Sequence, residues 1–359
     1  VSCPRLVIFF KDFSPWVGYS SVGLNVVART TAEELVRHGV PASVFGVRNN
    51  VDLFHVLDDA EKVGTPFTHV VVMAPWLSPL DLKSLLIRFG QIQFAVQTHT
   101  NIGALHGDYN GVANIRQYLD LMFSFMNLSV AANTLRLAIW ESVVYGQNIL
   151  VLPNLYPVVK RPRRCHTHSH YDAIRIGSFG AIRMEKNFIT ATAAALAIQK
   201  LTNRRVEFNM SVGCENAPNV LRTIRQLTDG VPGFTLIQHR WQPWDKFKRL
   251  VARMDLLLQP SHTESFNMVT ADGIAEGVPS VVSPAITWVP ESWKADPDDA
   301  MQIAAIGIHL LNNEKRAVID GFDALRRHNA DALYRWLDWL GVPVPARHHW
   351  YTRWCTLFD

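Results

Sequence analysis

At 359 residues the chain has the length of two ordinary domains. With 48% hydrophobic and 18% charged residues it is neither disordered nor of low complexity. Lys and Arg total 35 against 31 Asp and Glu, a net charge of +4 that admits a polyanionic partner without requiring one. Cys3, Cys165, Cys214 and Cys355 are too scattered for a zinc ribbon or a dense disulfide framework, which points to a reducing compartment and hence the cytoplasm.

The first apolar run, Leu6–Phe10, ends at Lys11-Asp12 and reads as a strand, not a signal peptide or a membrane span. No other run reaches the length of a bilayer crossing, which leaves peripheral membrane contact through Trp and Arg as the only membrane reading. Further strand-like runs follow at Ser43–Gly46, His69–Met73, Gln93–Gln97, Leu121–Phe125, Val130–Ala131 and Asn148–Leu152. Helical patterns lie between several of them, such as Leu24–His38 before Gly39 and Leu80–Phe89 before Gly90. This alternation predicts a parallel sheet with helices on both faces.

Residues 153–172 break the pattern. They hold Pro153, Pro157 and Pro162, the basic cluster Lys160, Arg161, Arg163 and Arg164, and alternating His166, His168 and His170. We read this stretch as a linker, and the histidines as a solvated polar hinge in preference to a metal site. The alternation then restarts, with strands at Ala173–Phe179, Val206–Val212, Phe234–Gln238, Leu256–Gln259 and Ser280–Ser283. Helices are expected at Phe188–Leu201, Val220–Leu227, Trp244–Arg253 and Asn267–Glu276, then at Ala300–Leu311, Ala317–Arg327 and Ala330–Leu340. The expected division is 1–160, 173–325, and a helix and tail over 326–359 that pack back on the first domain.

Chemistry concentrates in Leu256 to Ser283, reading LLLQPSHTESFNMVTADGIAEGVPSVVS. A buried strand runs into a polar loop and then a helix near Asn267, the place where open α/β sheets bind ligands. The amides of Ser265 to Met268 at the helix N-terminus suit a phosphate. Glu264 before the helix and Asp272 within it could reach a sugar and a ribose.

This stretch resembles the donor site of the retaining, nucleotide-sugar-dependent glycosyltransferases of GT-B fold (glycosyl transferases group 1-like). The matches are Pro260-Ser261, Glu264, Phe266, Asp272, Ala275, Gly277 and Pro279, while Ser265 and Asn267 stand where that family has glycines. GSFGAIRMEKN, Gly177 to Asn187, is similar to the family's diphosphate clamp, with Lys186 in position and Arg183 a displaced substitute for the family's arginine. The resemblance implies an α/β fold of two Rossmann-like domains facing a central cleft. It makes Glu264 the contact to sugar hydroxyls, Asp272 the contact to the ribose diol, and Ser265, Phe266 and Asn267 part of the donor site.

In the first half the resemblance is looser. Gly18 lies in a glycine loop after the first strand, where a strand-to-helix turn also likes glycine, and His99 follows a strand end as the family's sugar-facing histidine does. Asn154 reads as a turn residue. No Ser-His-Asp or Cys-His constellation is evident, and Asp296, Asp298 and Asp299 read as solvated, so catalysis is expected without a metal. The expected donor is a UDP-sugar, and no permanently bound cofactor is implied.

The acceptor is read from charge. Lys160, Arg161, Arg163 and Arg164, and a tail that interleaves Arg347, His348, His349 and Arg353 with Trp350, Tyr351 and Trp354, suit phosphates of nucleic acid or of lipid headgroups. Because the motifs resemble compact phage-type transferases, the first expectation is a 5-hydroxymethylpyrimidine base in phage DNA, flipped out of its stack. The alternatives are a saccharide or lipid-linked glycan acceptor, and a catalytically inactive nucleic-acid-binding module.

Overall fold

The structure is a computed structural model that describes residues 3–12, 22–107, 109–158, 173–213 and 217–343. It is α/β, and the chain divides into two compact units, Val1–Pro157 with Arg327–Asp359, and Val158–Arg326.

The first unit holds β1 (Leu6–Lys11), α1 (Val22–Arg37), β2 (Ala42–Val47), α2 (Asn50–Lys62), β3 (His69–Met73), α3 (Pro79–Arg88), β4 (Gln93–Thr98), α4 (Tyr109–Met122), β5 (Leu128–Ala132), α5 (Leu135–Tyr145) and β6 (Leu150–Val151). All six strands are parallel, in the order β2-β1-β3-β4-β5-β6. Leu6–Phe10 and Val70–Met73 are buried throughout. Central parallel strands lie between two layers of helices, so they read as continuous apolar runs, not alternating ones.

Two sequence expectations are corrected here. Leu121–Phe125 is not a strand: α4 continues through Met122, burying Ile115, Tyr118 and Leu119 at helical spacing, and Phe123 beyond it is exposed. A run of that length does not distinguish a buried strand from a helix end. Nor are Ala317–Arg327 and Ala330–Leu340 separate helices. They are parts of one 26-residue helix, α11 (Glu314–Trp339), since no Gly or Pro interrupts it near Asn329. From Arg327 onward this helix belongs to the first unit. There the His328 ring bonds the Asn154 carbonyl at 2.8 Å, and the Trp336 indole donates to the Pro153 carbonyl at 2.8 Å.

The second unit runs β7 (Ile174–Ser178), α6 (Phe188–Thr202), β8 (Val206–Val212), α7 (Pro218–Thr228), β9 (Phe234–Arg240), α8 (Trp244–Val251), β10 (Leu256–Gln259), α9 (Met268–Ala275), β11 (Ser280–Val282) and α10 (Ala300–Asn312). Its parallel strands are ordered β11-β10-β7-β8-β9. The chain steps outward from β7 to β9, then crosses back to place β10 on the other side of β7. That reversal makes the β7/β10 boundary a topological switch point, where the loops at the strand ends splay apart and leave a crevice. Close packing supports it: a Cβ on Gly273 of α9 would lie 2.6 Å from a Leu257 methyl and 3.0 Å from the Val278 carbonyl, so only glycine lets α9 approach β10.

Candidate functional site

At the end of β7 the chain turns through Gly180, whose φ of +126° is closed to side-chain-bearing residues. It passes the exposed Arg183 and forms a single 3₁₀ turn, Met184–Lys186. Asn187 follows at φ 55° and donates its side-chain amide to the carbonyls of Pro260 and Pro297, at 3.2 and 2.7 Å. The His262 amide donates to the Glu185 carbonyl at 2.8 Å. The loops after β7 and β10 are thus tied together at the switch point.

Between these loops Lys186 Nζ meets Glu264 Oε2 in a half-buried ion pair. Two further contacts to the carboxylate are local: Asn267 Nδ2 donates to Oε2 at 3.2 Å and the Ser265 amide to Oε1 at 3.3 Å. Asn267 itself sits at φ 62° as the N-cap of α9, its Oδ1 accepting from the Thr270 amide at 2.9 Å. Asparagine tolerates the left-handed region better than other side-chain-bearing residues. This explains how it can stand where the related motif has glycine, with the gain of a cap and of a donor to Glu264.

Asp272 is buried at 2% exposure, and its Oδ1 accepts from the Trp244 indole at 2.9 Å. The Lys248 ammonium lies 4.1 Å from the centre of the same indole. Phe266 is buried and stacks on Trp288 at 5.0 Å, while the Trp288 indole donates to its carbonyl at 2.7 Å. The Phe266 ring and the Asn267 amide are therefore structural supports of the loop, and Glu264 and Lys186 are its half-buried polar groups. Asp296, Asp298 and Asp299 are exposed, and Asp299 caps α10 through the Gln302 amide at 2.8 Å.

In the first unit, His99 follows β4. Its Nε2–H donates to Gln97 Oε1 at 3.1 Å, and Asn133 Nδ2 donates to its Nδ1 at 3.4 Å. The two bonds assign one neutral tautomer. Burial pushes the imidazole pKa down to about 4, so near neutral pH His99 offers a dipole and no charge. Ala74, after β3, holds φ at 68° with its amide bonded to the Gln97 carbonyl at 2.8 Å, a local strain of the kind often kept near functional loops.

Gly18, Lys160, Arg161, Arg163, Arg164, the three alternating histidines and the aromatic tail lie outside the described residues. The sequence reading missed Trp244 and Trp288 as partners of the site, and also Gln259, whose Oε1 accepts from Asn267 Nδ2 at 3.3 Å and whose Nε2 donates to the Phe179 carbonyl at 3.4 Å. Asn187 entered only as the last residue of the GSFGAIRMEKN stretch; its side chain forms no capping bond to α6 and instead ties the two loops together. Among the described residues no helix is long and apolar enough to cross a membrane.

No family model matches this chain. No curated protein matches it either. Solved structures do. HepE of Anabaena, solved in complex with UDP-glucose, aligns with a TM-score of 0.56 at 14% identity over 92% of this chain and 95% of its own. The N-terminal domain of Candida albicans trehalose-6-phosphate phosphatase aligns with a TM-score of 0.61 at 11% identity over 93% and 97%. TarM of S. aureus, in a complex that includes UDP, aligns with a TM-score of 0.55 at 12% identity over 76% of this chain, which spans 55% of TarM's length. At these identities the likeness is one of fold, the GT-B arrangement of two Rossmann-like α/β domains.

Proposed function

We propose that this protein is a retaining glycosyltransferase that uses a nucleotide sugar, with a UDP-sugar as donor. The observation that carries this reading is the Lys186–Glu264 pair at the β7/β10 switch point. The likeness in fold to HepE, which was solved with UDP-glucose, supports it.

Within the pair each charge neutralises the other. A donor diphosphate offers Lys186 two negative charges in place of one, and Arg183, exposed at the same turn, adds a second cation. Glu264, still oriented by Asn267, then accepts hydrogen bonds from sugar hydroxyls, and Asp272 takes the ribose diol once the Trp244 indole yields it. As the bond from the anomeric carbon to the diphosphate oxygen breaks, its electron pair leaves with the diphosphate. The acceptor oxygen bonds to that carbon on the same face, and its proton passes to a phosphate oxygen. Cationic stabilisation of the departing diphosphate supplies most of the rate, without a protein nucleophile or a metal.

The acceptor we propose is a 5-hydroxymethylpyrimidine base in DNA, a reading supported by the basic cluster at Lys160, Arg161, Arg163 and Arg164 and by the motif resemblance. The test is incubation with a panel of nucleotide sugars and either hydroxymethylated DNA or glycan acceptors, with and without a chelator, followed by mass spectrometry of nucleosides and glycans. A sugar mass on the pyrimidine, unaffected by chelation, is expected. Gain of that mass by a glycan alone overturns the DNA acceptor, and absence of nucleoside diphosphate release overturns the enzyme in favour of a binding module.

A further inference from the structure

Helices pack on both faces of the second unit's sheet. On one face, α6 and α7 bury Phe188, Val220 and Ile224 against Met210 of β8, with Leu236 of β9 packed beside them. On the other face α8 packs over β7 and β10, with Phe247, Leu250 and Val251 against Phe179 and Leu257. His239 of β9 lies beside this packing: its ring is 6.4 Å from that of Phe179 and bonds Oδ1 of the buried Asn209 at 2.8 Å.

Between α8 and edge strand β9 lies a cavity of about 320 Å³ lined by His239, Gln242, Lys246, Arg249, Leu250 and Arg253. Lys246, Arg249 and Arg253 follow the i, i+3, i+7 spacing that puts them on one flank of α8 and its final turn. Like charges at that spacing repel. Some exposed cations are neutralised, as Arg88 is by Asp58 and Glu61 and Arg316 by Asp320. Among the described residues no carboxylate pairs with Lys246, Arg249 or Arg253. Three uncompensated cations around a concave, partly apolar space form a strong attractor for a compact polyanion, and two guanidinium forks match phosphate oxygens bidentately. The volume falls in the range of small-molecule pockets, which favours a small ligand over an extended polymer.

We propose that this groove binds a small phosphorylated molecule, carrying a phosphate monoester or diphosphate, at a site separate from Lys186 and Glu264. Neither of those residues lines it, and Trp244, the partner of Asp272, stands on a different flank of α8. The inference does not rest on the glycosyltransferase reading and survives its failure.

The test is calorimetric titration of the full chain with inorganic pyrophosphate, for the parent, Lys186→Ala, and the double variant Arg249→Gln/Arg253→Gln. All three replaced side chains are at least partly exposed, and thermal unfolding of each variant checks that it folds. Lys186→Ala is expected to keep a pyrophosphate site that the double variant weakens at least tenfold, with Arg249→Lys/Arg253→Lys intermediate. Binding in the double variant equal to the parent overturns the proposal. So does complete loss of the site in Lys186→Ala or under saturating UDP, since the groove would then belong to the donor pocket. Duplex DNA or phosphatidylserine vesicles bound through Arg249 and Arg253, with pyrophosphate ignored, overturn it as well.

Discussion

Lys186 and Glu264 are 78 residues apart in the chain and share a hydrogen-bonded ion pair at the ends of two adjacent parallel strands. Each comes from a loop with its own fastening: Asn187 bonds back to Pro260, and Asn267 holds the Glu264 carboxylate from the side. The pair is thus held from both sides by contacts within the fold.

Glu264→Gln keeps the shape and loses the charge. We expect transfer to fall by at least about 100-fold, the scale of removing one preorganised polar group at a reacting centre. Stability should fall by about 1–3 kcal/mol, because the pair is largely shielded from solvent and Lys186 loses its counter-charge while Gln keeps a neutral acceptor. Initial rates and urea unfolding measure the two quantities. Parent-like rates would remove Glu264 from the site.

Asn267 combines a left-handed backbone with an N-cap. Asn267→Ala forces a side-chain-bearing residue into that region and removes the cap, a combined cost of about 2–3 kcal/mol. Asn267→Gly relieves the backbone and should cost only a few tenths to about 1 kcal/mol. Chemical denaturation of both variants checks the order; equal losses would mean that the conformation at this position is not what selects asparagine.

Trp244→Phe removes the indole donor to Asp272 while keeping an aromatic ring. A buried carboxylate that loses one hydrogen bond is expected to cost about 1–3 kcal/mol. Asp272→Asn, which keeps an acceptor oxygen, should cost less while still weakening nucleoside diphosphate binding. Thermal unfolding and equilibrium titration with UDP distinguish the two effects.

Glu141 in α5 is buried, and burial raises its carboxyl pKa from 4.5 to about 7. Between those values the folded chain binds more protons at this group than the unfolded chain does, so its contribution to stability falls as pH rises from about 4.5 to about 7. Glu141→Gln should therefore gain about 1–3 kcal/mol over the parent at pH 8 and little at pH 4.5. Urea unfolding at the two pH values measures this; an equal gain at both would assign the effect to packing.

Much of the architecture was legible because its signals are local. Leu6–Phe10 and Leu256–Leu258 announce buried parallel strands by unbroken apolar character, and Gly39 and Gly277 mark helix ends. The errors have the same origin. Leu121–Phe125 carries no periodicity long enough to separate helix from strand, and the join at His328-Asn329 contains no breaker, so polarity alone suggested a boundary that α11 ignores. Glu264, Lys186 and Asp272 were singled out by motif spacing, and the fold brings Lys186 against Glu264. Trp244 and Gln259 were not, because their roles depend on partners contributed by other elements.

The sequence by itself determined most of the segments that become strands and helices, and which charged side chains stand at the strand ends. The tertiary structure decided the strand order, and with it that the loops after β7 and β10 are neighbours at a switch point. It also decided that the Asp272 carboxylate is covered by an indole and that one flank of α8 faces an open groove with three unpaired cations. The physical reason is range: apolar periodicity and capping act within a few residues, whereas strand pairing, ion pairing and cavity lining are set by crossovers between residues tens of positions apart.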